Sequence, residues 1–425
     1  MRIIVVGGGW SGCAASLSAS KQGAEVFLVE RTDMLLGTGL VGGIIRNNGR
    51  FTAAEEMIAM EGGELFHLMD QNVLHRNIDF PGNRHASLYN LATMEPQVKR
   101  FLLQKGIHLL LTTRMEDVEM KGTRIKAVKG KQGDEEFRLE GDVFIDTTGT
   151  TGPPAACHKY GNGCALCILR CSFFGGRVSL AARAGTREVD GRQGNQIGAM
   201  SGSCILVKES ISRETVNRLE KDGSATVAIP NRKGFSGKAL HKACPQYDLP
   251  EFSENLVLLH PGQVRMMTPF FPLDALRQIP GFENARYQDP YAGGMGNSVR
   301  FLGMPPREDT LKVKGVENLF CAGEKAGLLV GHTEGIATGT LAGFNAVRQM
   351  KREKLLILPA TLAVGEIISY ARNEMETVEG LGQKYTFSGS IYFERMKQKG
   401  LYTINPKEIQ ERVEASGLTG AFSAR

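Results

Sequence analysis

The amino-acid sequence predicts an α/β fold built around a parallel sheet, on three observations. Residues 2–6, Arg-Ile-Ile-Val-Val, form a continuous apolar run, as in a strand buried on both faces. Gly7-Gly8-Gly9-Trp10-Ser11-Gly12 follows at once, and Cys13 to Lys21 is rich in Ala, Ser and Leu, as suits a helix packed closely on a sheet. Gly23 stops that helix, and Glu25-Val-Phe-Leu-Val-Glu30 reads as a second strand. A strand, glycine turn, helix and strand within thirty residues make a βαβ unit of the Rossmann type.

The remaining elements follow in order. Residues 94–105 carry Met94, Val98, Phe101 and Leu102 at helical spacing, and His108 to Thr112 reads as a strand. Residues 114–140 suggest two or three short strands with turns at Lys121-Gly122 and Gln132-Gly133. Asp142-Val-Phe-Ile-Asp146 is another buried strand, closed by Thr147-Thr148-Gly149. From Thr150 to about Gly303 the βαβ rhythm is lost, and it returns at Val316 to Gly323 and in a helix after Thr333. The expected organisation is a discontinuous Rossmann-like domain over 1–150 and 304–350, an inserted α+β domain over 151–303, and a helical C-terminal appendage over 351–425.

Composition sets the outer bounds. A chain of 425 residues is more than one hydrophobic core usually serves. Its 42% hydrophobic and 23% charged residues are ordinary for a globular protein, and many of the 52 glycines cluster where backbone would approach a ligand. A net charge of +6 suits an anionic cofactor or RNA and is too small to argue for RNA by itself. No secretory signal is visible, and Leu355 to Tyr370 contains Pro359 and Glu366, a poor membrane span. A cytoplasmic, non-membrane protein is the expectation.

Gly7, Gly9 and Gly12 fit G-x-G-x-x-G between a strand and a helix, which binds a dinucleotide pyrophosphate at the helix N-terminus. Glu30, eighteen residues after Gly12, stands where a carboxylate accepts the ribose hydroxyls. Phe144 to Gly149, and Asn318-Leu-Phe-Cys-Ala-Gly-Glu324 followed by Thr333 to Gly339, are similar to the second and third FAD fingerprints of two-dinucleotide-domain flavoproteins. That resemblance implies FAD, with Glu324 at the ribityl and phosphate region. It also implies a helix near Gly335 aimed at the flavin N1–C2 edge, where its dipole favours the anionic reduced ring. The candidate contacts are Gly7, Gly9, Trp10, Ser11, Gly12, Glu30, Arg31, Gly42, Gly43, Met115, Thr148, Gly149, Gly323, Glu324, Gly335 and Ile336. Catalytic candidates are His332, Arg300 and Cys204; Arg307 and Glu308 share the hinge stretch with Arg300, where salt-bridging is the simpler role.

Cys157, Cys164, Cys167 and Cys171 lie in one Gly-rich stretch, and the last three repeat the C-x₂-C-x₃-C piece of ferredoxin-type ligation. Three readings stay open: an iron–sulfur or zinc centre, a redox dithiol, or small buried hydrophobes. Cys13 and Cys321 fall inside the dinucleotide elements and read as packing residues.

Several stretches resemble one family. Gln278-Ile-Pro-Gly-Phe-Glu-Asn-Ala285 and Asn318 to Ala346 are similar to segments of the glucose-inhibited-division protein A family of FAD proteins. Leu358 to Gly365 with Tyr370, and Tyr385-Thr-Phe-Ser-Gly389, resemble the tail of its folate- and FAD-dependent tRNA uracil-5 methyltransferase branch. In that branch a loop corresponding to Gly39-Leu-Val-Gly-Gly-Ile-Ile-Arg-Asn-Asn48 carries a cysteine that attacks the pyrimidine; here the position is Gly42, and a second family cysteine corresponds to Cys204. Without the first thiolate the resemblance implies a divergent paralogue. The leading expectation is an FAD-dependent oxidoreductase with a thiolate-bound metal centre, acting on a small redox substrate or an electron-transfer partner. The alternatives are a folate- and FAD-dependent RNA uridine methyltransferase and a non-catalytic flavin-binding protein.

Overall fold

The computed structural model describes residues 1–149, 170–193, 196–197, 199–201, 204–230, 249–267, 272–289, 298–300 and 302–424. Five parallel strands form the central sheet: β1 (Arg2–Val6), β2 (Glu25–Val29), β3 (His108–Leu110), β4 (Val143–Asp146) and β5 (Leu319–Cys321), paired in the order β5-β4-β1-β2-β3. β1 is central, which is why Ile3, Ile4 and Val5 have no exposed surface and need no polar alternation. The α/β class and the Rossmann-type start are as the sequence predicts.

Four helices matter for the site: α1 (Trp10–Lys21), α2 (Gly49–Ala59), α3 (His332–Met350) and α4 (Ala363–Glu374). α1 and α3 lie backbone to backbone. A Cβ at Gly339 would run into the Ser11 carbonyl, and one at Gly343 into the Ala15 carbonyl. These glycines, one turn apart, let the two helices approach until their N-termini sit side by side.

Between β3 and β4 runs a three-stranded antiparallel sheet, 113–121, 124–132 and 135–140, with both turns where the sequence places them. A second small sheet joins Ile44–Ile45, Val73–Phe80 and Asn83–Tyr89, which the sequence pattern does not announce.

The described residues from Cys204 to Tyr287 build a core of their own. Cys204–Leu206, Val264–Met266, Asn255–Leu259 and Ser224–Ala228 form a four-stranded antiparallel sheet in that order, packed with Leu219, Leu276 and Phe282. The strand 255–259 is buried on both faces. Leu256 and Leu258 join this core, while Val257 and Leu259 meet Ile44, Phe80 and Leu88 in a third cluster that joins the two units. Leu180 and Ala181 pack in the first core. So does the helical C-terminal segment, through Leu362, Ile367, Tyr385, Tyr392 and Phe422. No helix among the described residues is long and apolar enough to cross a membrane.

Candidate cofactor site

One cavity of about 490 Å³ opens where the chain leaves the C-terminal ends of β1, β2, β4 and β5. That crevice is where open α/β sheets bind ligands. Gly7 turns the chain with φ +109, and a Cβ there would strike the Thr147 carbonyl. A Cβ at Gly9 would meet nothing within 4 Å, so the backbone lies bare to the cavity. Gly9, Trp10 and Ser11 at the start of α1, and Gly331, His332 and Gly335 at the start of α3, all line it. Two helix N-termini, each a positive dipole end, therefore converge on one cavity.

Glu30 stands at the rim, held by the loop it serves. Its Oε2 accepts from the Gly8 N–H at 2.7 Å, and its Oε1 from the Thr32 N–H at 2.8 Å and hydroxyl at 2.9 Å. Beside it lies a cationic wall of Arg31, Arg114, Arg170 and Arg177. Arg31 donates to the Gly175 carbonyl at 2.7 Å, Arg114 to the Gly176 carbonyl at 3.0 Å, and Arg170 pairs with Asp33 at 2.6 Å. Burial, then the nearby Arg177, bring Arg31 down to about 10, still cationic at neutral pH. Asp146, at the end of β4, shapes the next loop by accepting from the Thr148 N–H at 3.0 Å and hydroxyl at 2.7 Å.

The other end is less charged. Trp10, Tyr89 and His332 form a three-ring group with centroids 5.9 to 6.1 Å apart. Tyr89 donates to the Gly39 carbonyl at 3.0 Å, and burial holds its hydroxyl protonated. Leu40, Val41, Ile44 and Met267 complete an apolar wall.

Of the residues predicted to touch the cofactor, Gly7, Gly9, Trp10, Ser11, Glu30, Arg31, Gly42, Met115, Thr148, Gly149, Gly323, Glu324 and Gly335 line this cavity. Three do not. A Cβ at Gly12 would collide with the Gly7 carbonyl, so Gly12 packs α1 on the turn; Gly43, at φ +73, turns beside Pro261; and Ile336 is fully buried in the first core. His332 faces the cavity. Cys204 does not: it is 7% exposed and packs in the second core. Arg300 lies in a strand paired with 199–201. Arg307 is buried away from the cavity, donating to the Ala326 carbonyl at 2.8 Å and the Ile368 carbonyl at 2.7 Å.

Cys157, Cys164 and Cys167 fall outside the described residues, and Cys171 opens the short helix 171–174, half-buried. Among the described residues no group of three or more His, Cys, Asp and Glu side chains is placed to hold a metal. The thiolate centre therefore rests on spacing alone. Cys13 and Cys321 are fully buried, and burial drives both thiols well up, so they pack as predicted.

The sequence reading missed Arg50, Arg114 and Arg177 on the cavity wall and Tyr89 in the ring group. No local motif marks them. The glycines of α3 at four-residue spacing were a readable signal of close helix packing.

An FAD molecule fits the donor set: bare backbone and helix N-termini for the pyrophosphate, Glu30 for a ribose, Arg31 and Arg177 for the remaining phosphate charge, and an apolar, aromatic end for a flat ring system.

Comparison with known proteins agrees. Residues 2–152 match the model of the FAD dependent oxidoreductase family, and residues 265–354 that of glucose inhibited division protein A. The methylenetetrahydrofolate–tRNA-(uracil-5-)-methyltransferase TrmFO of Streptococcus sanguinis is 37% identical over 97 residues, 22% of this chain and 20% of that protein. The TrmFO of Dictyoglomus thermophilum is 36% identical over 99 residues, 23% and 22% of the two chains. The matches thus span about a fifth of these relatives' length. Among solved structures, GidA of Aquifex aeolicus superimposes with a TM-score of 0.69 at 16% identity, covering 100% of this chain and 74% of that one. That match is to its form II crystal; its form I crystal gives 0.63 at 15%, covering 97% and 78%. The chain resembles the glucose inhibited division protein A family of FAD proteins, in sequence over residues 265–354 and in fold along its length.

Proposed function

We propose that this protein is an FAD-dependent oxidoreductase whose small redox substrate or electron-transfer partner meets the flavin at the apolar end of the cavity, beside His332. The observation that carries the reading is the convergence of two helix N-termini, the bare Gly9 backbone and the loop-held Glu30 on one cavity. FAD supplies the electron transfer; the chain's residues bind it, orient it and exclude water. His332 is a polar group at the apolar end, placed to hold a proton or a hydrogen bond there. The purified protein is expected to release FAD on denaturation and to show a flavin spectrum that bleaches with an anaerobic electron donor. No stoichiometric FAD after reconstitution overturns the reading, and a flavin that no donor reduces favours a non-catalytic role.

The matches to the methyltransferases favour a second reading, folate-dependent methylation of an RNA uridine. Against it stands Gly42: it faces the cavity, where an added Cβ would lie 3.6 Å from His332 Cε1, yet it offers no thiol. Transfer of label from methylenetetrahydrofolate to RNA would establish this reading, and no RNA binding at low salt would count against it. The metal centre remains a proposal from the spacing of Cys157, Cys164, Cys167 and Cys171. Iron and acid-labile sulfide analysis of anaerobically purified protein decides it.

A further inference from the structure

Arg50, the second residue of α2, places a buried guanidinium on the cavity wall, its side chain 10% exposed. Its Nε lies 3.4 Å from both carboxylate oxygens of Glu334, and its Nη2 donates to the Val330 carbonyl at 3.2 Å and to the Thr386 hydroxyl at 3.1 Å. Glu334, in the first turn of α3, has a side chain with no exposed surface. Its Oε1 accepts from the Thr386 hydroxyl at 2.7 Å and the Phe387 N–H at 2.8 Å, while its Oε2 has no hydrogen-bond donor among the described residues. The pair is pressed against the N-cap of α3: Gly331 sits at φ +146, and a Cβ there would collide with Arg50 Nη2 and Glu334 Oε2.

These charges are shielded from bulk water and adjoin the helix end that faces the cavity. A field from a buried charge is weakly screened over such distances. Reduction of a flavin adds negative charge to its ring, so a nearby cation favours it and a nearby anion opposes it. We propose that the Arg50–Glu334 pair sets the reduction potential of the bound flavin, with Arg50 favouring the reduced form, Glu334 limiting that bias, and Thr386 acting as the positioning residue between them. The inference rests on the FAD reading above. It also makes the C-terminal segment, through Thr386 and Phe387, part of the cofactor's electrostatic surroundings.

Redox titration of the FAD-loaded protein tests it. Arg50→Gln leaves the anion uncompensated and is expected to weaken the preference for reduced over oxidised flavin about tenfold, a fall of about 30 mV for a two-electron couple. Glu334→Gln is expected to raise the potential by a similar step, and Arg50→Lys to stay near the wild type. Thr386→Val keeps both charges but strips Glu334 of a donor, and is expected to lower the potential by a smaller step. It answers the question even where Arg50→Gln does not fold. Potentials that do not move, or that move the same way in Arg50→Gln and Glu334→Gln, overturn the inference while leaving the flavin reading intact. A wild-type protein that holds no FAD overturns that reading and this inference with it.

Discussion

Gly339 faces the Ser11 carbonyl so closely that even a methyl group has no room. Gly339→Val is therefore expected to destabilise the fold by about 1–3 kcal/mol through overpacking. It should also weaken FAD binding, because the α1 and α3 N-termini would no longer converge; denaturant unfolding and a flavin titration check both. Glu30→Ala removes the acceptor of the buried Gly8 N–H. It is expected to weaken FAD binding by about 1–3 kcal/mol, roughly fivefold to 150-fold, in a fluorescence titration. Gly7, Gly9 and Glu30 were legible in the sequence because their geometry is local: a turn, a helix start and a strand end within thirty residues. Arg50, Tyr89 and Thr386 were not, since the first two belong to elements with no motif and the third reaches the site from 336 residues beyond Arg50.

At the scale of elements, α4 shows how the C-terminal segment is secured. The sequence places Leu355 to Tyr370 in a helical C-terminal appendage; in the structure this stretch packs into the first core, with α4 starting at Ala363. The cap of α4 comes from α2: Glu56 accepts from the Ala363 N–H at 2.9 Å and the Val364 N–H at 3.0 Å. Sequence inspection finds caps among near neighbours, so a cap supplied from 307 residues away is invisible to it. Burial raises the Glu56 carboxyl to about 7 against the opposing pull of those two N–H groups. The folded state thus keeps a proton that the unfolded chain, titrating near 4.5, releases. Glu56 therefore makes stability fall as pH rises from about 4.5 to about 7, with no further change above. Glu56→Gln is expected to remove that slope, read as the difference in Tm between variant and wild type across the window.

At the scale of the molecule, the two sheet units meet through the cluster of Ile44, Phe80 and Leu88 with Val257 and Leu259. At the same joint His75 Nε2 and His260 Nδ1 lie 3.1 Å apart, with Asp222 near His75, and Glu220 and Lys208 near His260. Burial holds both imidazoles below their usual 6.5, and His75 adds to the effect on His260. Their contribution is present above about 6.5 and is lost as pH falls, because the unfolded chain takes up protons first. His75→Asn is expected to lessen the drop in thermal stability between pH 8 and pH 5.5. The loss of βαβ rhythm after Thr150 signalled a change of architecture, but neither this joint nor the return of residues 362–422 to the first core shows as periodicity, because both are long-range contacts.

The pairing of Arg50 and Glu334 with Thr386 has a consequence for biosynthesis. The glycine turn leaves the ribosome well before Glu334 and Thr386, the groups that complete the cavity's electrostatics. At about 5–20 residues per second, the nascent chain spends tens of seconds with one wall of its cofactor cradle missing. Cofactor capture thus waits for Thr386, and a ribosome stalled before that residue carries a chain without a finished place for the flavin.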